Sequence, residues 1–268
     1  WFVRKPHVWH LHESGHHMGL KYDLGKRRTV RLINYFSEII IVVSSSLKDI
    51  YSCHIEPNRM RLIYQAVTVN REIKKTHDLN FDKQFFQCVI VASLHPYKGQ
   101  DEAIAALSKV ILRGIKVKLL IIGEGWDSFQ TRLHQQIANL GLEQYVKLAG
   151  YIKNPINYIQ EADAVLVCSH WESFGRVTIE AMLAGRAVIG TANGATAELI
   201  KDGVTGLLYN SGNHNELADK IQYLHENPEE RLKLGTAARI WATDRFTQER
   251  YAKEVFDLLR EVLKKKIS

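Results

Sequence analysis

Short apolar runs alternate along this chain with longer segments in which apolar positions recur every three or four residues. From Gln87 onward the runs predict strands near 87–92, 116–122, 145–149, 163–168, 187–190 and 205–208. The segments between and after them predict helices near 99–112, 127–139, 154–160, 175–184, 195–200 and 214–226. Such alternation implies a parallel sheet with helices on both faces, whose ligands sit at the carboxyl ends of the strands. Lys98, Gly123, Tyr151 and Glu172 each follow a strand, so topology alone brings them to one edge.

Before Gln87 the pattern is less regular. Residues 7–12 read as a strand, and residues 13–26, with Gly15, Gly19 and Gly25, read as a mobile loop. Residues 26–36 predict a basic helix with Val30, Ile33 and Phe36 inward and Arg27, Arg28 and Arg31 outward. Residues 39–43 form a buried strand, the run Ser44-Ser45-Ser46 offers an N-cap for a short helix through Tyr51, and 61–67 is a further strand. The polar stretch 70–83 reads as a linker or surface arm. At the other end, Asn213 with Glu216 is a capping-box-like start, and Pro228 sits at the first position of a helix. Phe246-Thr247-Gln248 opens a last helix to about Lys265, with Val255, Leu258, Leu259 and Val262 on its apolar face.

A length of 268 residues allows one large domain or two, and 46% hydrophobic content allows a sizeable core. The net charge of +7 is consistent with solubility alone, or with attraction to anions such as nucleotide phosphates or an acidic membrane surface. Nucleic acid is disfavoured, because no binding motif and no basic run interleaved with aromatics is present. Cys53, Cys88 and Cys168 have no metal-ligand spacing and read as reduced, buried thiols of a cytoplasmic protein. No signal peptide is visible, and the apolar runs fall short of the roughly 20 residues a bilayer requires. The expected place is therefore the cytoplasm, with the inner face of the membrane as an option.

The chemistry concentrates in the stretch from Ser169-His170-Trp171-Glu172 through Ser173-Phe174-Gly175-Arg176 to Met182. It follows the apolar run 164–168 and passes through Gly175 into a helix whose first-turn N–H groups lack intrahelical partners, a natural seat for an anion. Glu172 in the loop and Glu180 in the helix would repel a phosphate. They make sense if each accepts from sugar hydroxyls while backbone N–H groups hold the phosphates. This arrangement resembles the signature of the retaining glycosyltransferases of family 4, which have the GT-B fold. The likeness extends upstream through Val89 to Gly99 with its Lys98-Gly99 turn, Leu119 to Gly125, Val146 to Tyr151 and Glu161 to Ala164. Downstream it takes in Gly194 to Ile200 and Asp202 to Leu208.

The resemblance implies an α/β chain, GT-B-like: a doubly wound parallel-sheet C-terminal domain plus a partial N-terminal Rossmann-like domain. Residues 1–70 would be the later part of the acceptor-side domain, 71–245 the donor domain, and 246–268 a helix crossing back to the N-terminal part. Because residues 7–12 match a strand from the middle of that family's first domain, the first half of the domain is expected to be missing, through truncation or a split gene. Glu180 would bind ribose hydroxyls and Glu172 the transferred sugar. Phe174, Gly175, Val177 and Thr178 would supply donors to sugar and phosphate, and Tyr151, or its backbone with Ile152, would border the nucleobase. His12 would reach the donor sugar through its carbonyl or ring; a structural strand histidine is the competing reading. Where the family often carries an arginine this chain has Ser93, with Arg176 as a substitute.

Read from the residues themselves, Lys98 after a strand is either a solvated turn lysine or an ammonium neutralising a diphosphate, and its surroundings favour the second. Gly123-Glu124-Gly125 would need a third glycine where Ser128 stands, so dinucleotide binding is rejected. Glu180, among Ile179, Ala181, Met182 and Leu183, is a carboxylate on a largely buried helix, where a lack of partners is costly. His10 and His12 share a strand face, but no third ligand supports zinc. No Asp-x-Asp motif calls for a metal, and no cofactor is required beyond a nucleotide-diphospho-sugar substrate. The leading expectation is a retaining, hexosyltransferase-like enzyme, possible only in part as this chain, with a glycan or lipid-linked hydroxyl acceptor, peripheral membrane association as an option, and no nucleic-acid partner. A sugar-nucleotide epimerase of the same fold and a non-catalytic nucleotide-binding subunit of a split transferase are the alternatives.

Overall fold

The structure is a computed structural model that describes residues 5–13, 26–68 and 81–267. The expected loop at 14–25 and most of the expected linker, residues 69–80, lie outside the described residues. In chain order the first elements are β1 (Val8–Leu11), α1 (Lys26–Phe36), β2 (Ile39–Val42), α2 (Ser45–Ser52) and β3 (Met60–Leu62). Then come β4 (Phe86–Val91), α3 (Gln100–Leu112), β5 (Val117–Ile122), α4 (Asp127–Asn139), β6 (Val146–Leu148), α5 (Ile156–Glu161) and β7 (Ala164–Val167). The rest are α6 (Arg176–Leu183), β8 (Ala187–Thr191), α7 (Gly194–Leu199), β9 (Leu207–Tyr209), α8 (His214–Glu226), α9 (Pro228–Thr243) and α10 (Gln248–Ile267). The chain divides into two units, one of residues 1–68 with 245–268 and the other of residues 69–244.

In the first unit β1, β2 and β3 form a parallel sheet in that order, with Val8 opposite Ile39 and Ile40 opposite Met60. Ile39, Ile41 and Ile63 pack against Leu258 and Val262 of α10, with Val255 and Tyr251 at the margin. Ser44 caps α2 by accepting from the Leu47 N–H at 3.0 Å. Four expectations change here. The strand foreseen over 61–67 stops at Leu62, because the Val67 N–H turns to Phe246 O at 3.0 Å and Tyr64 O accepts from the Arg250 guanidinium. Phe36 is half exposed, not inward. The buried stripe Val30 and Ile33 continues four residues on, at Ser37, which a helical period favours over position 36. Leu259 is exposed for a similar reason, since the seam through Val255, Leu258 and Val262 leaves it on a flank. Cys53 is exposed at the end of α2, whereas Cys88 and Cys168 are buried thiols.

In the second unit six parallel strands run in the order β6-β5-β4-β7-β8-β9. Cys88 and Ile90 of β4 face a core with α3 and α8, while Val89, Leu120 and Ile122 face the other side with Tyr158. Sequence order therefore runs outward from β4 in one direction and resumes at β7 in the other. The two strands diverge into their helices on opposite sides at that point, which opens a crevice beyond their carboxyl ends. Asn213 accepts from the Glu216 N–H at 3.2 Å, but the returning carboxylate takes the Asn210 N–H at 2.9 Å, so only half of a capping box forms.

His10 and His12 do share one face of β1, with ring centroids 4.1 Å apart, and His10 stacks on Tyr251 at 6.3 Å. Burial, and to a lesser degree the charge of His12, lowers the His10 pKa to about 4. A depressed histidine pKa means the native state holds the neutral ring. Its contribution is complete above about pH 6.5, the unfolded value, and is lost as pH falls toward 4. Thermal melts of His10→Phe at stepped pH are expected to lose less stability between pH 6.5 and 4 than the parent chain; an equal loss would count against this account.

Candidate functional site

Six parallel strands send their following segments from one edge of the larger sheet, and close backbone approaches join those after β4, β5, β6, β7 and β8. Gly99, at φ 65°, sits where a Cβ would lie 2.2 Å from Cys168 O, which draws the loop after β4 against the end of β7. Gly123 has φ 145°, and a Cβ there would meet Ala92 O at 1.9 Å. The Gly123 N–H donates to Gly150 O at 2.8 Å, and the Leu94 N–H to Glu124 O at 3.0 Å. The glycines expected to approach a ligand thus serve first to let neighbouring loops approach one another. On the far side of β7 the Ala195 N–H donates to Glu172 O at 2.9 Å and Thr191 Oγ1 to Ser169 O at 2.6 Å.

At the crevice between β4 and β7, Lys98 Nζ donates to Glu172 Oε1 at 2.6 Å, with 17% and 19% of the two side chains exposed. The same carboxylate oxygen accepts from Ser169 Oγ at 2.5 Å. Two residues singled out from distant parts of the sequence therefore touch. Ser169, part of the motif but given no role by the sequence, is their third member. Two residues behind Glu172, His170 Nε2 donates to Glu102 Oε1 at 2.6 Å; neither Glu102 nor this pairing was foreseen. The only local signal for Glu102 is its position one helical turn beyond Lys98.

Helix α6 begins at Gly175, whose φ of 79° is left-handed, and no side chain caps it. Phe174 and Gly175 are buried, Val177 is half-buried, and Thr178 is fully buried with its Oγ1 bonded to no other group among the described residues. An unpartnered buried hydroxyl one turn into a helix, beside free first-turn N–H groups, suits an oxyanion. Arg176 is largely exposed and reaches Glu180 Oε1 at 3.4 Å. Burial raises the Glu180 pKa, partly offset by Arg176. Ser93 is exposed, and its carbonyl accepts from Gln100 Nε2 at 2.9 Å. Tyr151 is exposed beside Gly150. His12 belongs to the other unit, where its ring meets the Gln65 amide. Among the described residues no three of His, Cys, Asp and Glu cluster as a metal site.

The sequence pattern of the family described as glycosyl transferases group 1 matches residues 71–241. The chain belongs to that family. It is 27% identical over 84% of its length to N-acetyl-alpha-D-glucosaminyl L-malate synthase of Bacillus anthracis. It is 30% identical over 86% of its length to a glycosyltransferase of Methanocaldococcus jannaschii. The chain spans 61% of the length of each of these relatives. In structure it resembles HepE of Anabaena, crystallised with UDP, with a TM-score of 0.84 at 25% identity over 97% of this chain and 73% of that one. The α/β fold is the GT-B fold of such glycosyltransferases.

In this family member the Glu180 carboxylate is a burden on the free chain. A raised carboxylate pKa adds stability below the unfolded value that is lost as pH rises through the native one, so at neutral pH the ionised form costs stability. Glu180→Gln is expected to raise Tm at pH 7 by about 1–3 °C, and by less at pH 4, in a calorimetric scan. A lower Tm at pH 7 would contradict the assignment.

Proposed function

We propose that this chain carries the donor site of a retaining glycosyltransferase of family 4, moving a sugar from a nucleotide-diphospho-sugar to a hydroxyl of a glycan or lipid-linked acceptor. The single observation that carries the reading is the Lys98–Glu172 contact at the strand-order reversal, beside the uncapped end of α6. In the reaction the bond from the sugar C1 to the diphosphate oxygen breaks, the acceptor oxygen bonds to C1 on the same face, and the acceptor proton leaves with the diphosphate. Negative charge grows on the leaving group, so fixed donors aimed there stabilise the transition state most. Lys98, the first-turn N–H groups of α6 and Thr178 supply them. Glu172 accepts from hydroxyls of the transferred sugar, and Glu180 from those of the ribose. Tyr151 borders the base, Ser93 and Gly123 line the phosphate side, Arg176 adds positive charge at the helix start, and the family resemblance assigns His12 to the donor sugar.

This division of labour separates two variants. Lys98→Met is expected to weaken UDP by about 10–100-fold, the value of one charge-assisted bond, and UMP far less. Glu172→Ala is expected to leave UDP within about threefold while transfer from UDP-glucose falls by at least 100-fold. Calorimetric titration with UDP, GDP and ADP, followed by transfer assays, would decide. Normal transfer by Glu172→Ala would sink the reading, and product sugar nucleotide formed without acceptor would favour epimerisation.

The acceptor side meets an anionic membrane surface. Helix α1 contains no acidic residue, and its outward face carries Arg28 and Arg31 with exposed Leu32, Tyr35 and Phe36. Cations interleaved with aromatic and aliphatic side chains on one helix face suit the headgroup region of anionic lipid. No described helix is long and apolar enough to cross a membrane. Co-sedimentation with vesicles containing phosphatidylglycerol is expected, and its affinity is expected to drop by at least about thirtyfold for the double variant Arg28→Glu, Arg31→Glu, at roughly 1 kcal/mol for each lost cation. Equal binding to neutral vesicles would overturn it.

A further inference from the structure

Three bonds tie the segment after β4 to the loop after β7. One is the Lys98–Glu172 pair itself. The second is backbone, the His170 N–H donating to Tyr97 O at 2.8 Å. The third is the His170–Glu102 bond, again 2.6 Å. Glu102 lies four residues beyond Lys98 and His170 two before Glu172, so the bonds fall at three successive points along the segment from Tyr97 to Glu102. Glu102 is itself firmly held: its second oxygen accepts from the Gly212 N–H at 3.0 Å and from the Tyr209 hydroxyl at 3.3 Å. Burial pushes the Tyr209 pKa up, so that hydroxyl keeps its proton and remains a donor. A carboxylate with three donors from two separate segments, and 12% of its side chain exposed, is a fixed post rather than a solvated surface charge.

The three bonds do not share one fate. When a diphosphate claims Lys98, the bond from Lys98 to Glu172 weakens, and the loop bearing Glu172 loses one of its restraints. The other two involve no group that the donor reading assigns to a ligand. We propose that Glu102 and His170 are positioning residues that hold the Glu172 loop in register while Lys98 turns to the diphosphate. This rests on the reading of Glu172 as the sugar contact. It predicts a specific defect: recognition of the sugar falls, while recognition of the nucleotide does not.

The test compares affinities for UDP, GDP and ADP with those for their glucose conjugates, measured by titration calorimetry on the full chain. In Glu102→Gln and His170→Ala the affinity for the bare nucleotide is expected to stay within about twofold of the parent. The ratio of conjugate to nucleotide affinity is expected to fall about tenfold, or 1.4 kcal/mol. His170→Gln, which can place an amide N–H near the position of Nε2, is expected to restore most of that ratio. If the parent discriminates and the ratio is unchanged in both damaging variants, the positioning role is wrong while the donor reading stands. A parallel loss for both ligands, or no rescue by His170→Gln, would mark a merely structural bond and also overturn it. If the parent binds none of the six ligands, the donor reading fails and takes this inference with it.

Discussion

The site depends on one charge pair placed where the sheet's strand order reverses. Lys98 and Glu172 are mostly buried, and withdrawing each from water alone would cost several kcal/mol. Together, with Ser169 donating to the same oxygen, they form a neutral floor to the crevice. On the reading proposed above, a diphosphate brings more negative charge than one carboxylate and competes for the ammonium. Once Lys98 is shared, Glu172 is short of donors, and a buried acceptor left unsatisfied is expensive. Sugar hydroxyls can make up that deficit, and a bare nucleotide cannot. On the proposed donor reading, the pair links phosphate capture to sugar recognition.

That economy requires loops that do not drift, and the glycines provide it by an indirect route. At Gly99, Gly123 and Gly125 the space a side chain would need is already filled by backbone of the adjoining loop. Gly194 stands the same way against Glu172, where a Cβ would lie 2.7 Å from its carbonyl oxygen. With no side chains intervening, N–H and C=O groups of successive loops reach one another directly. The ligand-facing edge becomes a continuous hydrogen-bonded rim, stiffer than separate loops would be. Glycine in such a motif is easily mistaken for room left for a phosphate, although the closest neighbours here are other loops.

Much of this was legible in the sequence because it is local. The run that became β7 is apolar throughout and that of β5 is broken only by Lys118, as strands covered on both faces require, and the helices between them keep their period. Parallel topology then placed Lys98 and Glu172 on one edge with no contact information. What stayed hidden was of two kinds. Phe36 and Leu259 sit at the margin of an apolar stripe, where a shift of one residue in the seam turns inward into outward. Glu102 with His170, and Glu102 with Gly212, join residues far apart in the chain, and nothing in the local pattern of either partner specifies the other. Such bonds exist only once the sheet order is set.

Glu180 carries a cost that the proposed donor role would explain. A glutamate on a buried helix could be neutralised by a close, buried arginine. Arg176 instead stays largely exposed and approaches only to 3.4 Å, the geometry of a weak surface pair. Its attraction does not cancel the desolvation that raises the carboxylate pKa. A tighter internal partner would stabilise the free protein and would also compete with any diol for the same oxygens. On the proposed reading, leaving the carboxylate under-satisfied reserves its acceptor capacity for the ribose, and the buried hydroxyl of Thr178, bonded to no group among the described residues, follows the same logic with opposite polarity. Under that reading the unfavourable terms at Glu180 and Thr178, two residues apart on α6, are the cost of groups kept for a ligand rather than for each other.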